Sequence, residues 1–191
     1  MHIHPDRMPP LAPEQMDQAQ RDAAAALIAG PRKGVKGPFI PLLRAPQLMD
    51  RLQRVGEYIR FDSSLPPRLS EFAMVVVSRA YTQQFEWHVH VPLAMKAGTS
   101  AATIEAVRVG TRPRDMSQEE ALVYDYTTEL IAHRGISDAT YAATIAAFGE
   151  RGLLDLTGLI GYFITVSLVL NVAHTPPDAV DGVAPLPALP L

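Results

Sequence analysis

The chain has no cysteine at any of its 191 positions. Disulfide frameworks, thiolate nucleophiles, CxxC redox cycles and Cys-ligated zinc are therefore excluded on chemical grounds. A basic excess is missing too. Seventeen Lys and Arg stand against 20 Asp and Glu, for a net charge of -3, so no stripe exists to displace phosphate counterions from a nucleic acid. The expected partner is a small-molecule substrate or another protein subunit. The opening MHIHPDRMPPLAPEQ lacks a basic start followed by an apolar run, so no secretory signal is read and a cytoplasmic location is expected. Charge is absent from one long stretch, the 18 residues from Leu156 to Ala173, which reaches the lower limit for a membrane span. Thr157, Gly158, Gly161, Thr165, Ser167 and Asn171 interrupt that stretch, and no Lys/Arg cluster flanks it. A buried bundle helix is expected there, and no membrane partner.

Hydrophobic residues make up 48% of the chain, enough for one substantial core in a single domain. Residues 1–45 read as an N-terminal extension. Within it, Pro13 and Gly30 bracket an Ala-rich helix over about 13–29, and a Pro/Gly loop follows in which GPRKGVKGPFIPLLRAP has no regular period. Such a loop often lies over a pocket or an interface. The core spans residues 46–175. Leu48, Leu52, Val55 and Ile59 recur at helical spacing up to the Pro66–Pro67 break. Helices are then predicted over about 68–81, 83–97, 100–109, 117–133 and 137–151, with the apolar helix last. Gly98 closes one of them, Ser117 and Glu120 form a capping box, Gly135 ends the next and Ser137 opens another. The run Val75–Val77 favours a strand locally but has no partner strand, so helix is predicted. Residues 176–191 are too rich in proline for regular structure. The predicted fold class is all-α.

The chemistry gathers on the helix FEWHVHVPLAMKAG. Each helical residue advances about 100°, so Gln83, Glu86 and His90 share one face, and Glu86 can touch His90. A carboxylate beside an imidazole orients the ring, raises its pKa and makes an acid-base pair for neutral pH. The bland alternative is a surface i,i+4 pair. Glu71, in the apolar segment EFAMVVVSRAY, needs a partner or an exposed place near the helix N-terminus. On one straight helix Glu71 and His90 would stand about 28 Å apart. They meet only if the chain folds back near Tyr81 and Thr82. His88 is turned about 200° from His90, so the two cannot share a metal ion, and no metal site is expected. Asn171 and His174 end the last helix and are candidates for the pocket border. Trp87 reads as core or interface and is also a candidate substrate contact. Tyr124 and Tyr162 read as core residues with tethered hydroxyls, and His133 as a charge at a helix C-terminus.

The pattern Glu71, Gln83, Glu86, His90, Ala94 and Gly98, followed by SAATIEAV, resembles the core motif of the carboxymuconolactone decarboxylase and alkylhydroperoxidase D-like family. In the peroxidase branch the places of Gln83 and Glu86 are held by the two cysteines of a CxxC. In the decarboxylase branch the motif is E-W-x-x-H, which Glu86, Trp87 and His90 match, with the 19-residue offset from Glu71 to His90 kept. The resemblance implies an orthogonal bundle of about six core helices, here with an extra N-terminal helix and a Pro-rich tail. It also implies assembly into trimers or hexamers, cofactor-free chemistry, catalysis by Glu71, Glu86 and His90, and Gln83, Trp87, Asn171 and His174 as substrate contacts. True decarboxylases lack much of the first 45 residues and the tail. A non-catalytic oligomeric binding protein on the same bundle is the alternative, with peroxidase activity only as a family label.

Overall fold

The computed structural model describes residues 5–177 and 180–187, so the tail's residues 178, 179 and 188–191 and the extension's first four lie outside it. Among the described residues there are eight α-helices and no strand. They are α1 (Gln18–Ala29), α2 (Phe39–Leu42), α3 (Pro46–Phe61), α4 (Pro67–Ala80), α5 (Gln84–Lys96), α6 (Ala101–Arg108), α7 (Gln118–His133) and α8 (Asp138–Ala173).

The bundle is built around α4. Its segment from Phe72 to Val77 is buried without a break, and α5, α6, α7 and α8 all pack against it. This explains how Val75–Val77 sit in a helix despite their strand preference: burial on every side outweighs a propensity difference of less than about 1 kcal/mol per residue. A second, smaller apolar cluster of Ala24, Leu27, Phe39, Leu42, Leu43 and Met49 joins α1 and α2 to α3. Each large side chain in it contributes about 1.5–3 kcal/mol by leaving water. The N-terminal extension is thus a docked part of the bundle.

Three local expectations need correction. The helix predicted over 13–29 is a single turn at Pro13–Gln15 followed by α1. Asp17 and Gln20 form a reciprocal capping box, which starts a helix at Gln18 in competition with Pro13. The connection after Gly30 is not wholly irregular, since α2 forms in it just past Pro38. The break expected after Arg151 lies earlier, because the non-helical residue inside α8 is Gly149, at φ 67°. At its C-terminus α7 turns left-handed at Arg134 (φ 62°), one residue before Gly135. The Ser117–Glu120 capping box and the Ser137 cap form as predicted.

By length and composition α8 could cross a membrane, with a mean hydropathy of 2.0 over its most apolar stretch, yet half of that stretch is buried inside the bundle. Two of its hydroxyls back-bond to the helix: Thr157 donates to the Leu153 carbonyl and Thr165 to the Gly161 carbonyl. Along its outer side Leu154, Gly158, Gly161, Thr165, Leu168 and Val172 form an exposed stripe without a charge. Leu154 is 66% exposed and Val172 60%.

Candidate active site

The reversal between α4 and α5 assembles the acid-base cluster. Thr82 takes a left-handed conformation (φ 47°), and the Gln83 N–H donates to the Ser78 carbonyl at 2.8 Å. The chain turns back at the place demanded by the straight-helix distance. Gln83 then caps α5, its Oε1 accepting from the N–H groups of Phe85 (2.5 Å) and Glu86 (3.4 Å). Its amide nitrogen donates to Asn171 Oδ1 at 2.9 Å, and Asn171 Nδ2 donates to the Tyr81 carbonyl at 3.0 Å. These two residues clamp the end of α8 onto the turn.

His90 sits between two carboxylates. Its Nδ1 lies 2.7 Å from a Glu71 oxygen and its Nε2 lies 3.2 Å from a Glu86 oxygen. The ring is 2% exposed, and the Phe163 ring meets it edge-on with centroids 5.0 Å apart. Burial pulls the His90 pKa down, but the hydrogen bonds to Glu71 and Glu86 and their charges outweigh it and raise the pKa above the ordinary imidazole value. That direction favours the imidazolium, which would donate from both nitrogens. His88, on the opposite side, holds the Gln84 carbonyl at 2.7 Å through Nδ1.

His90 and Glu86 reach the wall of a cleft of about 440 Å³, a volume suited to a small molecule. Aromatic rings of Phe39, Phe61, Phe85 and Phe163 line it, together with the cations Arg32, Lys36 and Arg60 and the hydroxyl-bearing Tyr162. Two glycines allow its close walls. A Cβ on Gly37, which has φ +53°, would lie 2.4 Å from the Phe85 ring. One on Gly56 would lie 2.2 Å from the Tyr162 hydroxyl and 2.6 Å from Arg32 Nη2.

Of the residues singled out from sequence, the fold brings Glu71, Glu86 and His90 together. Gln83, Trp87, Asn171 and His174 do not line the cleft. Trp87 is 1% exposed, with its indole N–H donated to the Ala184 carbonyl at 2.9 Å, and His174 closes α8 in a left-handed conformation. Among the described residues no group of three or more His, Asp or Glu is arranged to hold a metal ion. Sequence reasoning missed Arg32, Lys36 and Arg60. For Arg32 and Lys36 the only signal was the run PRKGVKG, a glycine-rich loop carrying cations, and Arg60 lies near the end of α3.

Residues 46–129 match the model of the carboxymuconolactone decarboxylase family. No curated protein matches the chain. Among solved structures, it is similar to the alkylhydroperoxidase AhpD core of an uncharacterized peroxidase-related protein from Ralstonia eutropha JMP134. That likeness has a TM-score of 0.74 at 16% identity and covers 92% of this chain and 94% of that one. An uncharacterized peroxidase-related protein from Silicibacter sp. TM1040 is similar at a TM-score of 0.68 and 13% identity, over 90% of each chain.

Proposed function

We propose, from the match of residues 46–129 to the carboxymuconolactone decarboxylase family, that the chain is an acid-base lyase or isomerase acting on a small carboxylated or lactone-type molecule. The observation that carries this reading is His90, held between Glu71 and Glu86 at the wall of an aromatic-lined cleft. The two carboxylates raise the His90 pKa and so favour the protonated ring, the form able to give a proton to a developing carbanion.

In a decarboxylation the C–CO₂ bond breaks and its electron pair stays behind as an enolate. His90 gives a proton to the enolate carbon, Glu86 stabilises the proton before transfer, and water restores it afterwards. Glu71 fixes the ring from the other side. In an isomerisation the same pair removes a proton from one carbon and returns one to another. A thiol peroxidase cycle has no sulfur to run on, since the chain contains no Cys.

The expected partner is a second copy of this chain, in a trimer or hexamer. The uncharged, exposed stripe on α8 supports that reading, because such a surface is more stable covered than wet. The test of the enzyme reading is solvent deuterium incorporation and CO₂ release from a panel of γ-lactones and carboxylated enols. Wild type should process at least one, and His90→Asn should lower its rate by about 10²- to 10⁴-fold with helicity retained. Equal turnover by the variant would remove His90 from the chemistry.

A further inference from the structure

We propose that Arg32 is the carboxylate-binding residue of the cleft, taking the anionic end of a small, flat, apolar-bodied ligand through a buried guanidinium that has no carboxylate hydrogen-bonded to it among the described residues. This rests on the reading that the cleft beside His90 is the substrate site. Arg32 precedes the segment shared with the family, residues 46–129, so the N-terminal extension supplies it.

Three observations converge on this residue. Among the described residues its Nε is buried without a hydrogen-bond partner, and the polar group it interacts with through a hydrogen bond is the Tyr162 hydroxyl rather than a carboxylate. A buried guanidinium in that condition loses its water without fully replacing it, and a ligand oxygen pair fits its planar fork. Next, the guanidinium is fixed in orientation, stacked over the Phe39 ring with its central carbon 4.5 Å from the centroid. Finally, the neighbouring groups leave it available. Glu86 is engaged with His90, and Glu57 and Glu86 act on Arg32 only through space. Gly56 lets the Tyr162 hydroxyl and Arg32 Nη2 share one small volume, which offers a second donor beside the first.

The charges around it agree with an anion site. Burial lowers the Arg32 pKa against the pull of Tyr162, as expected for a cation whose hydration is gone, yet a guanidinium stays protonated in a protein. Burial raises the Tyr162 pKa, so its hydroxyl keeps the hydrogen it would donate. Lys36 and Arg60 add positive potential at the same cleft. Phe61, Phe85 and Phe163 line the remaining wall, which selects an unsaturated or aromatic body over a hydrated one.

Binding without turnover tests this independently of the acid-base reading, so either can fail alone. Calorimetry compares benzoate, the neutral isostere benzamide and inorganic phosphate on the full chain and on Arg32→Met and Arg32→Lys. Benzoate should bind wild type better than benzamide or phosphate does. Arg32→Met should weaken benzoate by about 10- to 100-fold, the range of a charge-assisted hydrogen-bond pair, and Arg32→Lys by less. Neither variant should change benzamide binding. The Arg32 Nε–H resonance of wild type should move on adding benzoate, which a purely structural arginine would not do. That signal and the Lys variant carry the test if the Met variant loses helicity. The proposal is overturned if benzoate fails to bind wild type, if Arg32→Met binds it as wild type does, or if benzamide or phosphate binds as well.

Discussion

Replacing Glu71 by Gln is the sharpest perturbation of the acid-base cluster, because it keeps an acceptor opposite His90 Nδ1 while removing one charge. The Glu71 contact is the shorter of the two, 2.7 Å against 3.2 Å for Glu86. A hydrogen bond to a charged group contributes about 1.5–3 kcal/mol and a neutral one about 0.5–1.5 kcal/mol, so the exchange forfeits on the order of 1–2 kcal/mol. That corresponds to about a tenfold weaker proton affinity at His90. Two-dimensional NMR of ring-labelled histidine measures it directly, with His90→Asn identifying the signal. The same change has a signature in stability. Since the folded pKa of His90 is raised, its doubly bridged proton stabilises the fold fully below the unfolded value of about 6.5, and this contribution is lost as pH rises through the folded pKa. The gap in thermal stability between wild type and Glu71→Gln should therefore be widest at mildly acidic pH and shrink on the alkaline side. An unchanged His90 titration in the variant would refute the coupling, as would a gap that widens with pH.

Gly37→Ala should destabilise the protein by about 1–2 kcal/mol, seen as a lower melting temperature, because φ +53° is unfavourable for alanine and its methyl meets the Phe85 ring. Asp155→Ala should cost about 2–4 kcal/mol in denaturant unfolding, since Asp155 accepts from the Ser64 N–H, the Ser64 hydroxyl and the Tyr58 hydroxyl. Burial opposes the charge of Asp155, but those bonds and Arg151 outweigh it and lower its pKa. Its contribution is present above the unfolded value of about 3.9 and lost as pH falls through the folded pKa, so the wild-type advantage should narrow in acid. Leu168→Lys, on the exposed stripe of α8, should dissociate the proposed oligomer in sedimentation experiments. A monomeric wild type would defeat that expectation.

The acid-base half of the site was legible from one periodicity and one motif. A step of about 100° per residue puts Glu86 and His90 on one face, and Glu71 joins them through the family motif, the straight-helix distance saying only that a return near Tyr81 and Thr82 is needed. The cation half was not legible. Arg32 lies in a loop without a period, and only the fold of α1 and α2 onto α3 carries it to the cleft. Gln83 and Asn171 illustrate a different limit: both reach the neighbourhood of the turn, but they bond to each other, and pairing between polar side chains 88 residues apart leaves no local trace. Tyr162 reads as core from its apolar neighbours and is indeed 7% exposed, yet its ring also forms part of the cleft wall. Helix boundaries failed where several starts or stops compete, as with Gly149 and Gly152 in α8.

The hairpin of α4 and α5 keeps Glu71, Glu86 and His90 within a span of 19 residues, so closing this loop takes little chain entropy and its geometry depends on few distant positions. Arg32 belongs to a separately docked segment, with its own apolar attachment. The proton-handling hairpin and the ligand-facing extension can therefore change at different rates. If Arg32 binds the anion as proposed, substitutions around residues 30–39 should retune which anion enters while the hairpin stays untouched, and another chain's extension grafted onto this hairpin should change ligand preference without altering the acid-base cluster.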